Sequence, residues 1–388
     1  MKILYVASRP LEINTSASIR NRATIEGLIE NGNDVTLLTT EPDNNHSSYD
    51  SSMLPERLKV HYLKTGGVQS IAKGLRGKRT FIGIRKKLYK IWDYFNVYDN
   101  LKGIVGYAGR LKLDMKEFDV IISSSDPKSS HLFVYEWLRR NRDIFVRWIQ
   151  IWGDPFLNDI SRRQAWMKKR IKKEERKLLD GAEKVIYVSP LTLDMQKHIY
   201  KKCADKMTWY PIPYLRKEGS VKDSGRLEGK RVKLAYCGDF SSHIRNIRPL
   251  YDYAMSHDVE LTICGISDLC LENAANIQVL PRMSQDRVQE IESKADILVH
   301  ISNRSGTQIP GKIYQYSGTD KPVLFILDGE KEKLFHYFSK YNRFVFAENT
   351  CEDIQRAVDV IIKHDSDGVI YNSVPDFDPA KIAESILK

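Results

Sequence analysis

The sequence predicts an α/β protein made of two doubly wound domains, and three observations lead to that prediction. Short apolar, strand-like runs alternate with helical segments almost from end to end. Runs of this kind, separated by helices, are typical of parallel sheets that are covered on both faces. The chain has 388 residues, and a single hydrophobic core stops growing at roughly 250–300 residues.

The strand-like runs form two groups that a polar stretch separates. They cover 3–7, 35–38, 60–63, 120–123, 146–151 and 185–188 in the first half, and 232–237, 261–264, 277–280, 297–300 and 323–326 in the second. The stretch from Pro211 to Gly229 is charged and contains prolines and three glycines, as linkers do. We therefore expect an N-terminal domain over 1–213, a linker over 214–229, a C-terminal domain over 230–375 and a closing helix over 376–388.

Composition and charge narrow the classes of function. Lys and Arg number 61 against 50 Asp and Glu, and the net charge of +11 favours phosphate-bearing ligands or an anionic membrane. We expect no nucleic acid partner, because the sequence has no zinc-finger spacing, no RNP-like strand and no basic region with heptads. The five cysteines form no C-x-x-C pair, which argues against a zinc site or a disulfide framework. No apolar run approaches the ~18 residues of a membrane span, and we recognise no signal segment, so we expect a cytoplasmic protein.

Residues that follow strands are the first candidates for a functional site. Ligands of open α/β sheets bind beyond the carboxyl ends of the strands, and two such domains facing each other would place a cleft between those ends. After the first strand, Ser16 and Ser18 begin a helix, where capping hydroxyls and free N–H groups favour an anion or a sugar hydroxyl. An ordinary capped helix is the alternative.

Asp154 is the candidate catalytic residue. It follows the strand-like run 146–151 and lies between Gly153 and Pro155. A loop carboxylate that faces a cleft can deprotonate an acceptor hydroxyl. Asp before Pro is also a common turn opener, and that alternative stays open. The hydroxyl-rich segment 123–127 also ends a strand, and we expect it to form a turn rather than to bind a sugar.

A glycine and an arginine open the second half as candidates for phosphate binding. Gly238 follows a strand and would let a ligand approach the backbone, and Arg245 beyond it could hold a phosphate bidentately. Arg248 competes with Arg245 for this role, and a solvated arginine is the alternative. The sequence contains no G-x-G-x-x-G and no P-loop motif, which argues against those nucleotide sites.

The segment 305–316 is the most specific of the candidates. It lies between two strands and places Gly311 and Lys312 at the start of a short helix. Exposed N–H groups and a lysine in the first turn suit a diphosphate, because the lysine neutralises charge as a leaving group departs. Gln315, one turn further, could bond a ribose. The alternative is a capped helix with an exposed lysine.

The two-domain plan and the first-strand loop combine with two motifs, Tyr-x-Gly238…Arg245-Asn246 and Pro-Gly311-Lys312-Ile-Tyr-Gln315-Tyr…Lys-Pro-Val323. Together they resemble GT-B-fold nucleotide-sugar glycosyltransferases, most nearly those of bacterial capsule, O-antigen or exopolysaccharide assembly. The resemblance implies two Rossmann-like domains, the first binding the acceptor and the second the donor. By position, it implies donor-binding roles that fall on Gly238, Arg245, Thr307, Gly311, Lys312 and Gln315, and acceptor-binding roles that fall on Ser16 and Ser18.

The sequence departs from the resemblance at two acidic positions. Many retaining members of glycosyltransferase family four carry two glutamates separated by seven residues, and the aligned positions here are Thr307 and Gln315. An inverting route would use Asp154 as the base, whereas a retaining route would leave Asp154 to position the acceptor. The D-x-D motifs at 365–367 and 376–378 lie far from where a GT-A sheet would place a metal ligand, so we expect no metal and no cofactor.

Two basic segments suggest a membrane partner. Eight Lys/Arg and no Asp/Glu lie between Lys73 and Lys90, alongside apolar residues at helical spacing, and nine Lys/Arg lie over 162–177. Such a helix can lie in an anionic membrane interface, with contacts from Arg85, Lys86 and Lys87. The alternative is a pair of surface helices packed on the first sheet. The resemblance favours the membrane, because many such enzymes use polyprenyl-linked acceptors at the inner leaflet.

The sequence thus predicts a metal-independent glycosyltransferase of the hexosyl type, cytoplasmic and peripherally bound to the inner face of the membrane. Its expected partners are a nucleotide-sugar donor and a saccharide or polyprenyl-linked saccharide acceptor, in bacterial surface polysaccharide assembly. Two alternatives remain. A nucleotide-sugar 2-epimerase would turn over the donor without an acceptor, and a degenerate sugar-binding or scaffold subunit would bind the donor without turnover.

Overall fold

Two parallel β-sheets organise the chain, one in each of two units. The structure is a computed structural model that describes residues 1–64, 94–111, 113–160, 165–215 and 227–388. Unit 1 comprises Met1–Pro211 together with Pro379–Lys388, and unit 2 comprises Ile212–Asp378. The predicted fold class, α/β with two doubly wound sheets, is confirmed.

The sheet of unit 1 has seven strands in the order β3-β2-β1-β4-β5-β6-β7. These are β1 (Lys2–Val6), β2 (Asp34–Thr40), β3 (Lys59–Leu63), β4 (Val120–Ser124), β5 (Arg147–Trp152), β6 (Lys184–Tyr187) and β7 (Met207–Trp209). In the parallel register, Tyr5 of β1 lies opposite Leu37 on one side and Ile122 on the other. Every residue of β4 is buried, as expected of a central strand with helices on both faces. The strand order reverses between β1 and β4, which makes their carboxyl ends the switch point where such sheets bind ligands.

The sheet of unit 2 has six strands in the order β10-β9-β8-β11-β12-β13. These are β8 (Val232–Cys237), β9 (Val259–Cys264), β10 (Ile277–Leu280), β11 (Ile297–Ile301), β12 (Val323–Leu327) and β13 (Phe344–Glu348). Buried Ile263, Ile297 and Ile326 show why these runs form strands, because β-branched side chains pack well on a pleated surface covered on both faces. The order reverses between β8 and β11, so their carboxyl ends form the switch point of this sheet.

Helices cover the faces of both sheets. Among the described residues these are α1 (Ser16–Glu30), α2 (Ser129–Arg140), α3 (Lys168–Gly181), α4 (Pro190–Ile199), α5 (Arg248–Ser256), α6 (Gln285–Lys294), α7 (Lys312–Tyr316), α8 (Lys331–Ser339), α9 (Cys351–Ser366) and α10 (Pro379–Leu387). Within the described ranges, no helix has both the length and the apolar character needed to cross a bilayer.

Two strands were not located by the sequence. β7 has only three residues, too few to show a period, and β13 was also missed. Both are edge strands. In the expected linker over 214–229, Tyr214 and Leu227 are buried in unit 2, whereas 216–226 lie outside the described residues.

The closing helix α10 belongs to unit 1 and packs on α1. Asn31 Nδ2 at the end of α1 donates to the Ala380 carbonyl over 2.7 Å. At the other end of α10, Lys184 Nζ donates to the Ser385 carbonyl over 2.9 Å, and an Arg147 guanidinium nitrogen donates to the Leu387 carbonyl over 3.3 Å. Cations at a helix C-terminus satisfy its unpaired carbonyls and stabilise it.

The close approach of α1 and α10 depends on Gly27. A Cβ there would lie 2.1 Å from the Pro379 carbonyl oxygen, which belongs to backbone and cannot turn away. We expect Gly27→Ala to lower the free energy of unfolding by about 1–3 kcal/mol through overpacking. Thermal melting checks this, with Gly106→Ala as the control because a Cβ at Gly106 meets nothing within 4 Å. Equal melting temperatures for the two variants would contradict the prediction.

Candidate functional site

Three carboxylates gather at the carboxyl edge of the sheet in unit 1. Asp126 follows β4, Asp154 follows β5, and Asp159 lies five residues further along the same loop. One carboxylate oxygen from each lies within 4.8 Å of the others. We call these three residues the carboxylate cluster. Its place beside the β1–β4 switch point is where ligands of such sheets bind.

Two buried cations compensate the carboxylate cluster. Lys128 Nζ contacts Asp126 and lies 3.5 Å from Asp159 Oδ2, and the lysine side chain is almost fully buried. The buried Arg20 guanidinium donates to the Ser125 carbonyl and, over 3.3 Å, to Ser124 Oγ. Paired charges of this kind are needed wherever carboxylates leave water.

Asp126 and Asp154 share a side-chain hydrogen bond, and their pKa values shift in opposite directions. Burial and the neighbouring Asp126 charge raise the pKa of Asp154 to about 7. Burial acts in the same direction on Asp126, but the Lys128 ammonium outweighs it and lowers the pKa of Asp126 below its ordinary value. A carboxyl group that titrates near neutrality is suited to general acid–base chemistry.

The carboxylate cluster could also hold a cation, since hard metal ions prefer carboxylate oxygens. The Lys128 ammonium already supplies positive charge there. The expectation that the reaction needs no metal stays a prediction.

A buried glutamate braces the loop that carries Asp154. Glu175 of α3 is fully buried and accepts hydrogen bonds from the Phe156 and Leu157 N–H groups, both over 2.9 Å. It also accepts from Gln196 Nε2 over 3.1 Å and from the Tyr200 hydroxyl over 2.7 Å. Burial raises the pKa of Glu175 despite these donors. Glu175, which Gln196 and Tyr200 hold in place, therefore fixes the backbone of Phe156 and Leu157, two and three residues beyond Asp154.

The two predicted acceptor-binding serines have different environments. Ser18 is buried, and its hydroxyl donates to the Ile13 carbonyl over 2.7 Å. Its N–H donates to Thr15 Oγ1 over 3.2 Å, which caps α1. Ser16 is exposed. An acceptor could therefore reach Ser16 directly, whereas the Ser18 hydroxyl stabilises the helix start.

At the switch point of unit 2, two glycine turns meet. Gly238 follows β8 and Gly265 follows β9, and a Cβ on Gly265 would lie 2.1 Å from the Gly238 carbonyl oxygen. Arg245 lies against these turns, with one guanidinium nitrogen donating to the Asp239 carbonyl over 2.8 Å and Nε donating to Asn303 Oδ1 over 3.0 Å. Arg245 therefore connects the loop after β8 with the loop after β11.

The competing arginine lies elsewhere. Arg248 is exposed at the start of α5, 4.0 Å from Asp252 of the same helix and 5.5 Å from the centre of the Tyr251 ring. Of the two arginines, the geometry thus favours Arg245 as the one beside the switch point.

Lys312 begins α7 and pairs with a carboxylate that the sequence did not indicate. Its Nζ lies 2.5 Å from Glu292 Oε1 of α6, and Glu292 is buried. Burial lowers the pKa of Lys312, but the Glu292 charge and the electrostatic influence of Cys237 outweigh it and raise the pKa. Cys237 ends β8, which places the ammonium at the same edge as Gly238. We call Gly238, Arg245 and Lys312 the basic edge.

The residues at the two aligned glutamate positions carry no charge. Gln315 Oε1 accepts from the Leu215 N–H over 2.9 Å, and its Nε2 donates to the Pro213 carbonyl over 3.2 Å. Both ends of its amide therefore hold the first residues of unit 2, and a bond to ribose would have to replace one of these contacts. Thr307 is half-buried, and Gly311 lies beside Ile212.

The site residues predicted from the sequence and those that the structure brings together coincide only in part. Arg85, Lys86 and Lys87 lie outside the described residues. Sequence reasoning missed Lys128, Asp159, Glu175 and Glu292 as site residues. The sequence does contain one signal for the carboxylate cluster, since Asp126 follows a strand just as Asp154 does. The prediction of a turn over 123–127 did not make use of that signal.

Comparisons with known proteins support the fold. No family model matches the chain, and no curated protein matches it. Among solved structures, a glycosyltransferase from Rickettsia africae ESF-5 has a TM-score of 0.55 at 13% identity, covering 100% of this chain and 98% of that one. The lipopolysaccharide outer core galactosyltransferase WaaB in its apo form has a TM-score of 0.52 at 10% identity, covering 100% of both chains.

A third structure, from Listeria monocytogenes, is assigned as a UDP-N-acetylglucosamine 2-epimerase. It has a TM-score of 0.50 at 10% identity and covers 100% of this chain and 94% of that one. Identities this low establish the architecture rather than the reaction. The chain therefore has a GT-B-like fold, as glycosyltransferase structures do.

Proposed function

We propose that the chain is a glycosyltransferase that moves a sugar from a nucleotide-sugar donor to a saccharide acceptor. The basic edge of unit 2 would hold the donor diphosphate, and Asp154 of unit 1 would remove the proton from the attacking acceptor hydroxyl. The observation that carries the proposal is the basic edge, where Arg245 and Lys312 meet two glycine turns at the switch point of the sheet.

The geometry of the basic edge suits a diphosphate. Gly238 lies directly beside the Arg245 guanidinium, since a Cβ there would be 3.6 Å from one of its nitrogens. Arg245 can present further N–H groups to phosphate oxygens. Lys312 would stabilise the negative charge that develops on the departing nucleotide. Glu292 holds the ammonium in place before the donor binds.

Asp154 supports the inverting route. In that route one base takes the acceptor proton while the hydroxyl attacks, and a carboxyl group with a pKa of about 7 can do this near neutrality. The absence of glutamate at Thr307 and Gln315 removes the carboxylates that the retaining route of family four uses. The acceptor that we propose is a lipid-linked or free saccharide in bacterial surface polysaccharide assembly.

Donor binding is tested first by thermal shift with UDP-, GDP-, CMP- and dTDP-sugars. A ligand at 100 times its dissociation constant adds about 2.7 kcal/mol to stability. We expect one nucleotide class to raise the melting temperature, and Lys312→Ala to abolish the shift because the diphosphate loses its countercharge. Lys331→Ala is the matched control, since Lys331 pairs with Glu348 over 2.8 Å on α8 in the same unit. Equal shifts in both variants would remove Lys312 from the donor site.

The 2-epimerase alternative keeps one supporting observation, the fold shared with the Listeria monocytogenes structure. An epimerase converts its nucleotide-sugar with no acceptor present, whereas a glycosyltransferase releases nucleotide only when the acceptor is added, apart from slow hydrolysis. Chromatography of the donor after incubation without acceptor separates the two. A scaffold subunit would give the thermal shift with no turnover under either condition.

A further inference from the structure

Three large aromatic side chains form an exposed cluster on unit 1. Tyr94, Phe95 and Trp166 are 48%, 60% and 54% exposed. Their ring centres lie 5.2 Å apart for Tyr94–Phe95, 5.5 Å for Tyr94–Trp166 and 6.0 Å for Phe95–Trp166. We call these residues the aromatic patch. Single exposed apolar side chains are common, but a contiguous group of rings marks an interaction surface.

A cationic helix surface begins directly beside the aromatic patch. α3 starts two residues after Trp166, and its opposite side is buried through Ile171, Leu178 and Leu179. Its exposed side carries a run of cations, which we call the basic face: Lys168, Lys169, Arg170, Lys172 and Lys173.

The basic face is not neutralised by the acids of its own helix. Glu174 pairs with Lys177 over 2.5 Å and accepts from the Tyr98 hydroxyl over 3.0 Å. Glu175 is buried against the Asp154 loop. Within the part of the chain that the structure describes, no cation of the basic face forms an ion pair. Five like charges on about two turns of helix attract a polyanionic surface.

We propose that the aromatic patch and the basic face together bind an anionic lipid bilayer. Trp and Tyr prefer the membrane–water interface, because each ring has an apolar body and a polar end. Lysine and arginine beside them are attracted to the anionic headgroups, and each adds roughly a fivefold factor to binding. A nucleic acid or an acidic protein would account for the basic face, but the bilayer also accounts for the exposed rings.

The basic face falls within the second basic segment of the sequence, 162–177, and the aromatic patch is the part that the structure adds. This surface lies on other residues than Arg85, Lys86 and Lys87, and it does not depend on the proposed sugar transfer. The full chain is tested by co-sedimentation with vesicles of phosphatidylcholine alone and of phosphatidylcholine mixed with phosphatidylglycerol. One variant replaces Lys168, Lys169, Lys172 and Lys173 by glutamine, and another replaces the aromatic patch by serine. Matched controls in the same unit are Lys201 and Lys202→Gln, and Phe145→Ser, which is fully exposed.

We expect binding to the anionic vesicles only. At roughly fivefold for each of its four lysines, the glutamine variant loses several hundredfold of that binding. The serine variant also loses affinity, and both controls bind as the wild type does. Brominated lipids should quench the fluorescence of the wild type, and Trp166→Phe should lose that quenching. The donor thermal shift should be unchanged in every variant, which separates this proposal from the proposed function.

Three outcomes would overturn the proposal. The wild type fails to bind anionic vesicles, or the control variants lose as much binding as the patch variants, or the serine variant and Trp166→Phe change nothing. In the last case, charge alone binds the vesicles, and the aromatic patch is not part of a bilayer-binding surface.

Discussion

Asp154→Asn is expected to lower kcat for sugar transfer by roughly 10²–10⁴-fold, the range that a positioned general base contributes. Asparagine keeps the size of the side chain and can still bond Asp126, but it cannot accept the acceptor proton. The measurement is nucleotide release with saturating donor and acceptor. Asp194→Asn is the matched control, because Asp194 is an exposed carboxylate of α4 in the same unit. An Asp154→Asn variant with wild-type kcat would remove Asp154 from the chemistry.

The same substitution has a pH signature. Since burial and Asp126 raise the pKa of Asp154 to about 7, kcat/KM of the wild type should rise with pH through that value, and the residual activity of the variant should lack this step. The free energy of unfolding changes with pH in the opposite direction to kcat/KM. The folded carboxyl holds its proton up to about pH 7, whereas its ordinary value is 3.8, so the stability it contributes at low pH is lost as pH rises through about 7. The asparagine variant should therefore melt no lower than the wild type above pH 7, which excludes misfolding as the cause of lost activity.

Glu175→Ala is expected to lower the free energy of unfolding by about 3–5 kcal/mol, the range found when one partner of a buried charged network is removed. The change leaves four donors without an acceptor, two of them the backbone N–H groups of Phe156 and Leu157. Unsatisfied buried donors keep the full penalty of leaving water. At about 2–4 °C per kcal/mol, the melting transition should fall by roughly 10 °C.

The control for Glu175 lies next to it on α3. Glu174→Ala removes a partly exposed carboxylate that pairs with Lys177, and such pairs contribute about 1 kcal/mol or less. Glu175→Gln should fall between the two, because one amide oxygen still accepts. If Glu174→Ala and Glu175→Ala melt at the same temperature, the buried network does not brace the Asp154 loop.

Most of the strands that the sequence located are apolar runs that are buried in a sheet, whereas β3 and β10 were located although only one residue of each is buried. β12 is apolar and buried at every position, and a run of this kind can be recognised from the sequence alone. β4 is also buried throughout, although its last two residues are serines. The switch points then followed from the doubly wound plan. Asp154, Arg245 and Lys312 are candidates for this reason, since each lies just beyond a strand end or in a loop that such ends define.

The site residues that the sequence did not indicate come together through strand pairing and helix packing, which the sequence does not state. Asp126 and Asp154 meet because β4 pairs with β5, and a run of residues does not state that pairing. Lys312 and Glu292 come from separate helices, 20 positions apart in the chain. Gln315 also has contacts that the sequence does not indicate. Its position matched the resemblance, but its amide bonds the backbone at 213 and 215, a long-range contact that no local pattern indicates.

The place of α10 has a consequence for how the protein folds during synthesis. Unit 1 contains Met1–Pro211 and Pro379–Lys388, so the ribosome must make all of unit 2 before the last piece of unit 1 exists. A nascent unit 1 therefore waits with the surface of α1 around Gly27 uncovered, and that surface is available to chaperones or to another nascent chain. The seven strands of unit 1 are all made before unit 2 begins, so its sheet can form early, but unit 1 gains its closing helix only after unit 2 has been synthesised.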